Sequence, residues 1–178
     1  MLNNDLSQQI KRNFPYKPTE EQENAVKSFA EFLFSPSADS VFLMKGYAGT
    51  GKTTLISALV RTLDSLQRKV ILLAPTGRAA KVFSGYAGHP AYTIHKKIYR
   101  QKVFSNETDN FVANQNLHRN TLFIVDEASM IANEGLSGGH FGSGRLLDDL
   151  VQYVYNGLGC RLMLIGDTAQ LPPIGEEE

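Results

Sequence analysis

A glycine-rich stretch in the first third of the chain combines residue types that bind phosphate. Residues 46–53, G-Y-A-G-T-G-K-T, match the pattern G-x-x-x-x-G-K-[ST]. Glycines let the backbone curl until its N–H groups point at phosphate oxygens, and the N-terminus of a following helix adds positive potential. Lys52 would then reach the β- and γ-phosphates, and the Thr53 hydroxyl would ligate Mg²⁺. The residues predicted to bind nucleotide here are Gly46, Ala48, Gly49, Thr50, Gly51, Lys52, Thr53 and Thr54.

Two adjacent acids supply the other half of such a site. The apolar run 121–125 ends on Asp126 and Glu127. We predict that Asp126 holds Mg²⁺ through water and that Glu127 polarises the attacking water as a general base. The alternative is a structural role, in which the two acids cap a helix N-terminus and contribute about 1 kcal/mol.

The elements that must position these residues alternate between strands and helices. Nearly continuous apolar runs predict buried strands, and helical patterns separate or precede them. This order predicts an α/β fold, with a parallel sheet covered by helices on both faces. Residues 101–116 depart from the alternation and predict a small β-hairpin, whereas 134–144 form a glycine-rich loop. The predicted strands are 40–46, 69–74, 121–126 and 161–166, and the predicted helices are about 20–34, 51–63 and 145–158.

Composition limits the possible classes of protein. The 178 residues suit one domain, and one cysteine excludes an internal disulfide. No apolar run approaches the ~18 residues of a membrane span and no signal peptide is visible, so we expect a cytoplasmic protein. The net charge is zero, yet residues 65–106 carry eight basic and no acidic residues. Such a segment predicts a positive face suited to nucleic acid, with an ordinary solvated surface as the alternative.

These motifs and four further ones together resemble the first motor domain of a superfamily 1 helicase of the RecD-like, 5′-to-3′ branch. The resemblance runs from about residue 19 to residue 175. It implies a RecA-like P-loop NTPase fold, ATP and Mg²⁺ as cofactors, and translocation along single-stranded DNA. The supporting stretches are P-T-E-E-Q at 18–22, A-P-T-G-R-A-A-K at 74–81, T-I-H-K at 93–96, D-E-A-S-M at 126–130 and G-D-T-A-Q-L-P-P at 166–173.

The resemblance assigns further nucleotide contacts. It implies that Gln22 bonds the adenine edge, although Thr19 and Gln22 also match a helix capping box that would occupy the same amide. Gln170 would bond the γ-phosphate and respond to its loss on hydrolysis. Asp167 would orient the loop that carries Gln170, or serve as an ordinary turn aspartate.

The resemblance also implies contacts with single-stranded DNA. These are assigned to Pro75, Thr76, Arg78 and Lys81 in one motif and to Thr93, His95 and Lys96 in the next. A core or surface histidine is the alternative for His95. The hairpin matches the position of a small pin that separates the duplex, in which Phe104 or Phe111 would stack on bases, with a connecting loop as the alternative.

A helicase of this family needs a second motor domain, whose arginine fingers are each worth roughly 10³–10⁵ in rate. The chain stops about where the linker to that domain would begin. We therefore expect residues 1–178 to be one RecA-like motor domain that binds nucleotide but unwinds nothing alone. Its partners would be single-stranded DNA and the second motor domain, while membership of a nuclease complex stays open. The rival functions are a phosphate-loop ATPase or kinase that does not act on nucleic acid, and a non-catalytic nucleotide-binding regulator.

Overall fold

A computed structural model of the protein describes residues 2–37, 40–47, 49–101, 111–131 and 142–167. Helices and strands alternate through most of this range. In chain order the elements are α1 (Leu2–Arg12), α2 (Glu20–Phe34), β1 (Val41–Lys45), α3 (Lys52–Ser65), β2 (Lys69–Ala74), α4 (Gly77–Ala87), β3 (Ala91–Thr93), α5 (Ile94–Ile98), β4 (Tyr99–Gln101), β5 (Phe111–Ala113), β6 (Thr121–Val125), a 3-10 turn (Ala128–Met130), α6 (Leu146–Tyr155) and β7 (Arg161–Gly166).

Five strands form a parallel sheet in the order β1-β7-β6-β2-β3. The four predicted strands are all present, and the strand that ends at Gly166 lies beside β1. Parallel pairing places the carboxyl ends of all five strands at the same edge. The segments that follow β1, β6 and β7 therefore emerge next to one another.

Helices cover both faces of this sheet, and β6 shows why its sequence is uninterruptedly apolar. All five β6 residues are buried. Leu122 and Ile124 pack into the core that includes residues of α1 to α4, whereas Phe123 and Val125 pack into the core formed with α5 and α6. Successive side chains of a strand point to opposite faces, so a strand covered on both sides must be apolar at every position. The predicted fold is confirmed.

Helix α1 was not predicted from the sequence. Its surface is mostly polar, and Leu6 and Ile10 are buried one helical turn apart. Asn13, just beyond its end, donates a hydrogen bond of 2.8 Å to the Thr62 hydroxyl on α3. Leu2, Leu6 and Ile10 recur at four-residue spacing, so the sequence did contain a short helical pattern here.

β4 and β5 form an antiparallel pair that aligns Arg100 with Val112, so the first strand begins at Tyr99, before the predicted start of the hairpin at residue 101. Residues 102–110 of the hairpin, including Phe104, lie outside the described residues, as do residues 134–141 of the glycine-rich loop. The described end of that loop is bonded to the hairpin, because the Gly142 N–H donates to the Phe111 carbonyl at 3.0 Å.

Asp149 connects α6 to β4 and to the described end of the glycine-rich loop through a cluster of hydrogen bonds. It accepts hydrogen bonds from the Tyr99 hydroxyl at 2.6 Å, the Ser143 hydroxyl at 2.7 Å and the Ser143 N–H at 2.9 Å. Burial alone would raise the pKa of Asp149, but these bonds outweigh it and hold the pKa below the ordinary value. The cluster thus stabilises the charged carboxylate.

A second buried polar group lies at the opposite end of the sheet. The Asn116 amide donates to the carbonyls of Tyr153 at 3.0 Å and Val154 at 3.2 Å, and it contacts the Cys160 sulfur at 3.9 Å. Cys160 is buried among apolar residues of α5, α6, β6 and β7. In the described part of the chain, no helix is long and apolar enough to cross a membrane.

Asp149→Asn should make the stability of the protein less dependent on pH. A depressed carboxyl pKa adds stability above the ordinary value near 3.9, and this stability is lost as pH falls through the folded-state pKa. At pH 7 the variant should lose about 1–3 kcal/mol, since charge-assisted hydrogen bonds are removed. The difference from wild type should shrink towards pH 3 in urea unfolding. The control is Asp148→Asn, whose half-exposed carboxylate pairs with exposed Arg145; an equal loss in both variants would contradict the assignment.

Candidate nucleotide site

The segment between β1 and α3 forms a compact loop that depends on glycine. Gly49 and Gly51 have φ of +80° and +81°, in the left-handed region that residues with a Cβ rarely adopt. Between them, Thr50 closes a turn, since its hydroxyl donates to the Tyr47 carbonyl at 2.8 Å. Ala48 lies outside the described residues. The loop therefore reverses the chain immediately before α3, as the phosphate-binding pattern predicts.

Helix α3 begins without a side-chain cap, unlike three other helices. The Thr19, Thr76 and Thr93 hydroxyls accept N–H groups at the starts of α2, α4 and α5 respectively. The N-cap of α3 is Gly51, so within the described structure no side chain satisfies the first N–H groups of this helix. Such groups are donors with a positive local potential. The sequence therefore leaves unsatisfied donors at the one helix N-terminus where phosphate was predicted.

Lys52 turns its ammonium group back over the loop. It donates to the carbonyls of Gly46 and Tyr47, the latter at 2.9 Å, and lies 3.7 Å from the Asp167 carboxylate. Asp167 is only 6% exposed, so this charge contact is partly shielded from water. The contact is possible because β1 and β7 are paired and the Gly46 N–H donates to the Gly166 carbonyl at 3.3 Å.

The two predicted acids emerge from β6, next to β7. The N–H of Asp126 extends the sheet by donating to the Leu73 carbonyl at 3.0 Å. Its carboxylate accepts the Glu127 N–H at 2.9 Å and the Tyr86 hydroxyl at 2.6 Å. Burial, followed by the charge of Asp126, raises the pKa of Tyr86 far above its ordinary value, so this hydroxyl stays a donor. Glu127 has a left-handed backbone with φ of 54°, which turns the chain sharply after the strand.

One cavity of about 380 Å³ brings these groups together. Lys52, Thr53, Asp126, Glu127 and Asp167 all line it, as do loop residues Gly49 and Gly51. A larger cavity of about 570 Å³ lies at the amino ends of β2, β6 and β7, and none of the predicted site residues line it. The smaller cavity is the candidate site, because the side chains that line it suit a nucleotide, although the other cavity is larger.

The described residues fit a nucleotide with its metal ion. Uncapped N–H donors and an ammonium group suit phosphate oxygens, and a threonine and a carboxylate that line the same cavity suit Mg²⁺. Among the described residues no three His, Cys, Asp or Glu side chains converge as a metal site. A magnesium ion here would therefore take most of its ligands from phosphate and water, which is the usual pattern for this ion. Thr54 lies one residue further on and accepts the Tyr16 hydroxyl at 2.9 Å, outside the cavity lining.

Gln22 forms the capping box that was the alternative to adenine binding. Its Oε1 accepts the Thr19 N–H at 3.0 Å, while its N–H donates to the Thr19 hydroxyl at 3.3 Å. The amide nitrogen donates to the Gly51 carbonyl at 3.4 Å, so α2 contacts the phosphate loop directly. Gln22 therefore lies beside the site with both ends of its amide engaged, and adenine binding stays a prediction.

The two predicted DNA-contacting segments lie side by side at the same edge of the sheet. They follow β2 and β3, which pair so that Ala74 faces Thr93. Thr76 caps α4 and Thr93 caps α5, while the side chains of Arg78, Lys81 and Lys96 are exposed. His95 is half-buried, and burial lowers its pKa, so its imidazole is neutral at neutral pH. Pro75 is partly buried just before α4, and Gln170 lies outside the described residues.

Two tyrosines in this region, Tyr86 and Tyr92, were not predicted from the sequence to contribute to either site. Tyr86 contacts Asp126 across a long chain separation, and a single sequence carries no signal for such a pair. Tyr92 is 41% exposed, with the ammonium groups of Lys96 and Lys97 within 6.0 Å of its ring centroid. An aromatic residue within the basic segment 65–106 is a signal that could have identified Tyr92 as a candidate for stacking on a base.

Comparison with known proteins identifies the family. Residues 17–178 match the family model described as AAA domain. The chain belongs to this family. The ATP-dependent RecD2 DNA helicase of Deinococcus radiodurans is 31% identical over 146 residues, which cover 82% of this chain and 18% of that protein. The ATP-dependent DNA helicase Pif1 of Bdellovibrio bacteriovorus is 30% identical over 139 residues, covering 78% and 30%.

A solved structure supports the same fold. The crystal structure of Pif1 helicase from Candida albicans has a TM-score of 0.52 and 20% identity, covering 89% of this chain and 34% of that one. This chain is thus a RecA-like P-loop domain of the superfamily 1, RecD-like type, as the resemblance predicted. It is a helicase-like motor domain, and it spans about a third or less of these relatives.

The left-handed backbone at Glu127 predicts an inverted preference between glycine and alanine. A left-handed backbone destabilises the alanine variant by about 1–2 kcal/mol. The greater freedom of glycine in the unfolded chain destabilises the glycine variant by about 0.4–1 kcal/mol, which offsets part of this difference. Glu127→Gly should therefore be the more stable of the two variants by roughly 0.5–1 kcal/mol. At exposed Glu31 in α2, alanine should instead be favoured by about 1 kcal/mol. Urea unfolding of the four variants measures this, and an alanine preference at both positions would disprove it.

Proposed function

We propose that this chain is the ATP-binding motor domain of a DNA helicase that couples ATP hydrolysis to translocation on single-stranded DNA. The observation that carries the proposal is the placement of two candidate surfaces at one sheet edge. The nucleotide cavity lies after β1, β6 and β7, and the basic segments lie after β2 and β3. A phosphate-loop kinase with no nucleic-acid substrate gives no reason for the second surface.

Each residue of the cavity is proposed to have a separate role in ATP hydrolysis. The start of α3 and the Lys52 ammonium would bind the phosphates, and the Thr53 hydroxyl and Asp126 carboxylate, which line the same cavity, would hold the metal ion. Bound magnesium would offset the negative charge of the phosphates. Glu127 accepts a proton from the attacking water as a general base. Gln170 is proposed to contact the γ-phosphate, and the buried Asp167 orients the loop in which Gln170 lies.

The DNA surface combines positive charge with helix N-termini. Arg78, Lys81 and Lys96 offer exposed cations, while the backbone near Thr76 and Thr93 approaches the strand's phosphates. The neutral His95 contributes a hydrogen bond rather than charge. Exposed Tyr92 adds a ring on which a base can stack. The hairpin formed by β4 and β5 would meet the duplex as a pin.

The chain on its own is proposed to bind nucleotide, hydrolyse little and unwind nothing. An arginine finger from a second motor domain is worth roughly 10³–10⁵ in rate. Among the described residues that line the cavity, Lys52 is the one cation, and no arginine lines it. DNA-stimulated turnover by the isolated chain at typical helicase rates would contradict this part of the proposal.

Lys52→Ala should abolish nucleotide binding, since it removes the ammonium group from the phosphate cavity. Arg78→Ala/Lys81→Ala should leave nucleotide binding intact and weaken binding of a single-stranded oligonucleotide. The slope of log affinity against log salt should fall by about 1.4, or about 0.7 per lost phosphate contact. Fluorescence titrations with labelled ADP and with labelled oligonucleotide provide the measurements.

Lys17→Ala/Lys27→Ala is the charge-matched control, because both lysines are exposed and lie outside the basic segment. Equal salt slopes for the two double variants would remove the DNA surface from the proposal. Retained nucleotide affinity in the Lys52 variant would remove the nucleotide site.

Gln22→Glu separates the capping role of this residue from adenine recognition. A glutamate at this position still accepts the Thr19 N–H and preserves the capping box, but it donates nothing to adenine. Because the substitution also removes the hydrogen bond to the Gly51 carbonyl, we expect a loss of about 1–3 kcal/mol in stability, together with a loss of the preference for ATP over GTP. Competition binding with the two nucleotides measures the ratio. An unchanged ratio would restrict Gln22 to its capping role.

A further inference from the structure

Helix α4 places Tyr86 against the metal-site carboxylate and fixes it there at three points. Its hydroxyl donates to Asp126 at 2.6 Å, and its ring stacks on Phe83 with centroids 5.2 Å apart and an interplanar angle of 29°. Its carbonyl accepts the Ser57 hydroxyl of α3 at 2.6 Å. Tyr86 is therefore held by the core, by Asp126 and by the helix that follows the phosphate loop.

This contact controls how the Asp126 carboxylate is oriented. One carboxylate oxygen accepts the Glu127 N–H and the other accepts the Tyr86 hydroxyl. Bonds to both oxygens fix the rotation of the carboxylate plane. Each oxygen of a carboxylate has two acceptor sites, so one site on each remains for water or a metal ion. The remaining sites then have a fixed direction relative to Lys52 and Thr53, which line the same cavity.

We propose that Tyr86 is a positioning residue for the magnesium-holding carboxylate, so that it sets how strongly the metal ion strengthens nucleotide binding. The inference rests on the proposed function, because Asp126 is a magnesium residue only if the cavity binds a nucleotide with its metal ion. It adds to that function a residue of α4 that touches neither substrate nor metal.

Tyr86→Phe tests the inference with little change in packing. Phenylalanine keeps the ring that stacks on Phe83 and loses the hydroxyl. Loss of a partner that orients a metal ligand typically lowers metal affinity 10–100-fold. We expect about tenfold weaker Mn²⁺ binding in the presence of ADP, measured by electron paramagnetic resonance of the free ion. ADP binding measured in EDTA should stay within about twofold of wild type, because the phosphate donors are unchanged.

Tyr99→Phe is a matched control. Tyr99 also donates to an aspartate at 2.6 Å, but Asp149 lies outside the nucleotide cavity. Both variants lose one tyrosine–aspartate hydrogen bond and should lose similar stability in urea. Only Tyr86→Phe should lower Mn²⁺ affinity.

A double-mutant cycle separates a positioning role from a general structural one. If Tyr86 acts through Asp126, Tyr86→Phe should have no further effect on Mn²⁺ affinity in an Asp126→Ala background. An equal effect in both backgrounds would overturn the inference, as would unchanged Mn²⁺ affinity in Tyr86→Phe alone. Equal losses of ADP binding with and without metal would also overturn it, since they indicate a distorted loop. If wild type bound no ADP at all, the proposed function would fail first, and the inference would fail with it.

Discussion

The parallel pairing of β1 with β7 is the interaction on which the candidate site depends. It aligns Lys45 with Gly166, and one further hydrogen bond continues the ladder from Gly46. Lys52 is thereby brought within 3.7 Å of Asp167, although the two residues are far apart in the chain. Because β6 pairs with the other side of β7, Asp126 arrives in the same cavity. The site therefore forms only when the sheet is complete, and any disturbance of β7 separates its two halves.

Helix α4 connects the two proposed surfaces. Its N-terminus, capped by Thr76, belongs to the basic segment, and Tyr86 near its other end bonds the carboxylate of the nucleotide cavity. Ala80, Phe83 and Ala87 bury one face of this helix in the core. One helix therefore contributes residues to both proposed surfaces.

The sequence predicted what is local in the chain and missed what depends on distant packing. The phosphate loop and the apolar strand before Asp126 are contiguous, so spacing alone located both, and the comparisons confirm the family. Helix α1 is an exception, because the four-residue spacing of Leu2, Leu6 and Ile10 is a local signal from which we did not predict the helix. The contact between Tyr86 and Asp126 was missed because it joins segments that only the fold brings together. Gln22 was correctly seen to have two possible roles, and the structure shows the capping one.

The burial of Cys160 at the far end of the sheet has a practical consequence. It is the one thiol in the sequence and is 3% exposed, held between Asn116 and the carbonyl of His118. An alkylating reagent reaches such a sulfur only when the amino ends of β6 and β7 separate. The rate of labelling would then follow local opening of the sheet. The labelling rate of Cys160 thus reports how often the pairing of β6 with β7 opens, and this pairing assembles the candidate nucleotide cavity at the other end of the sheet.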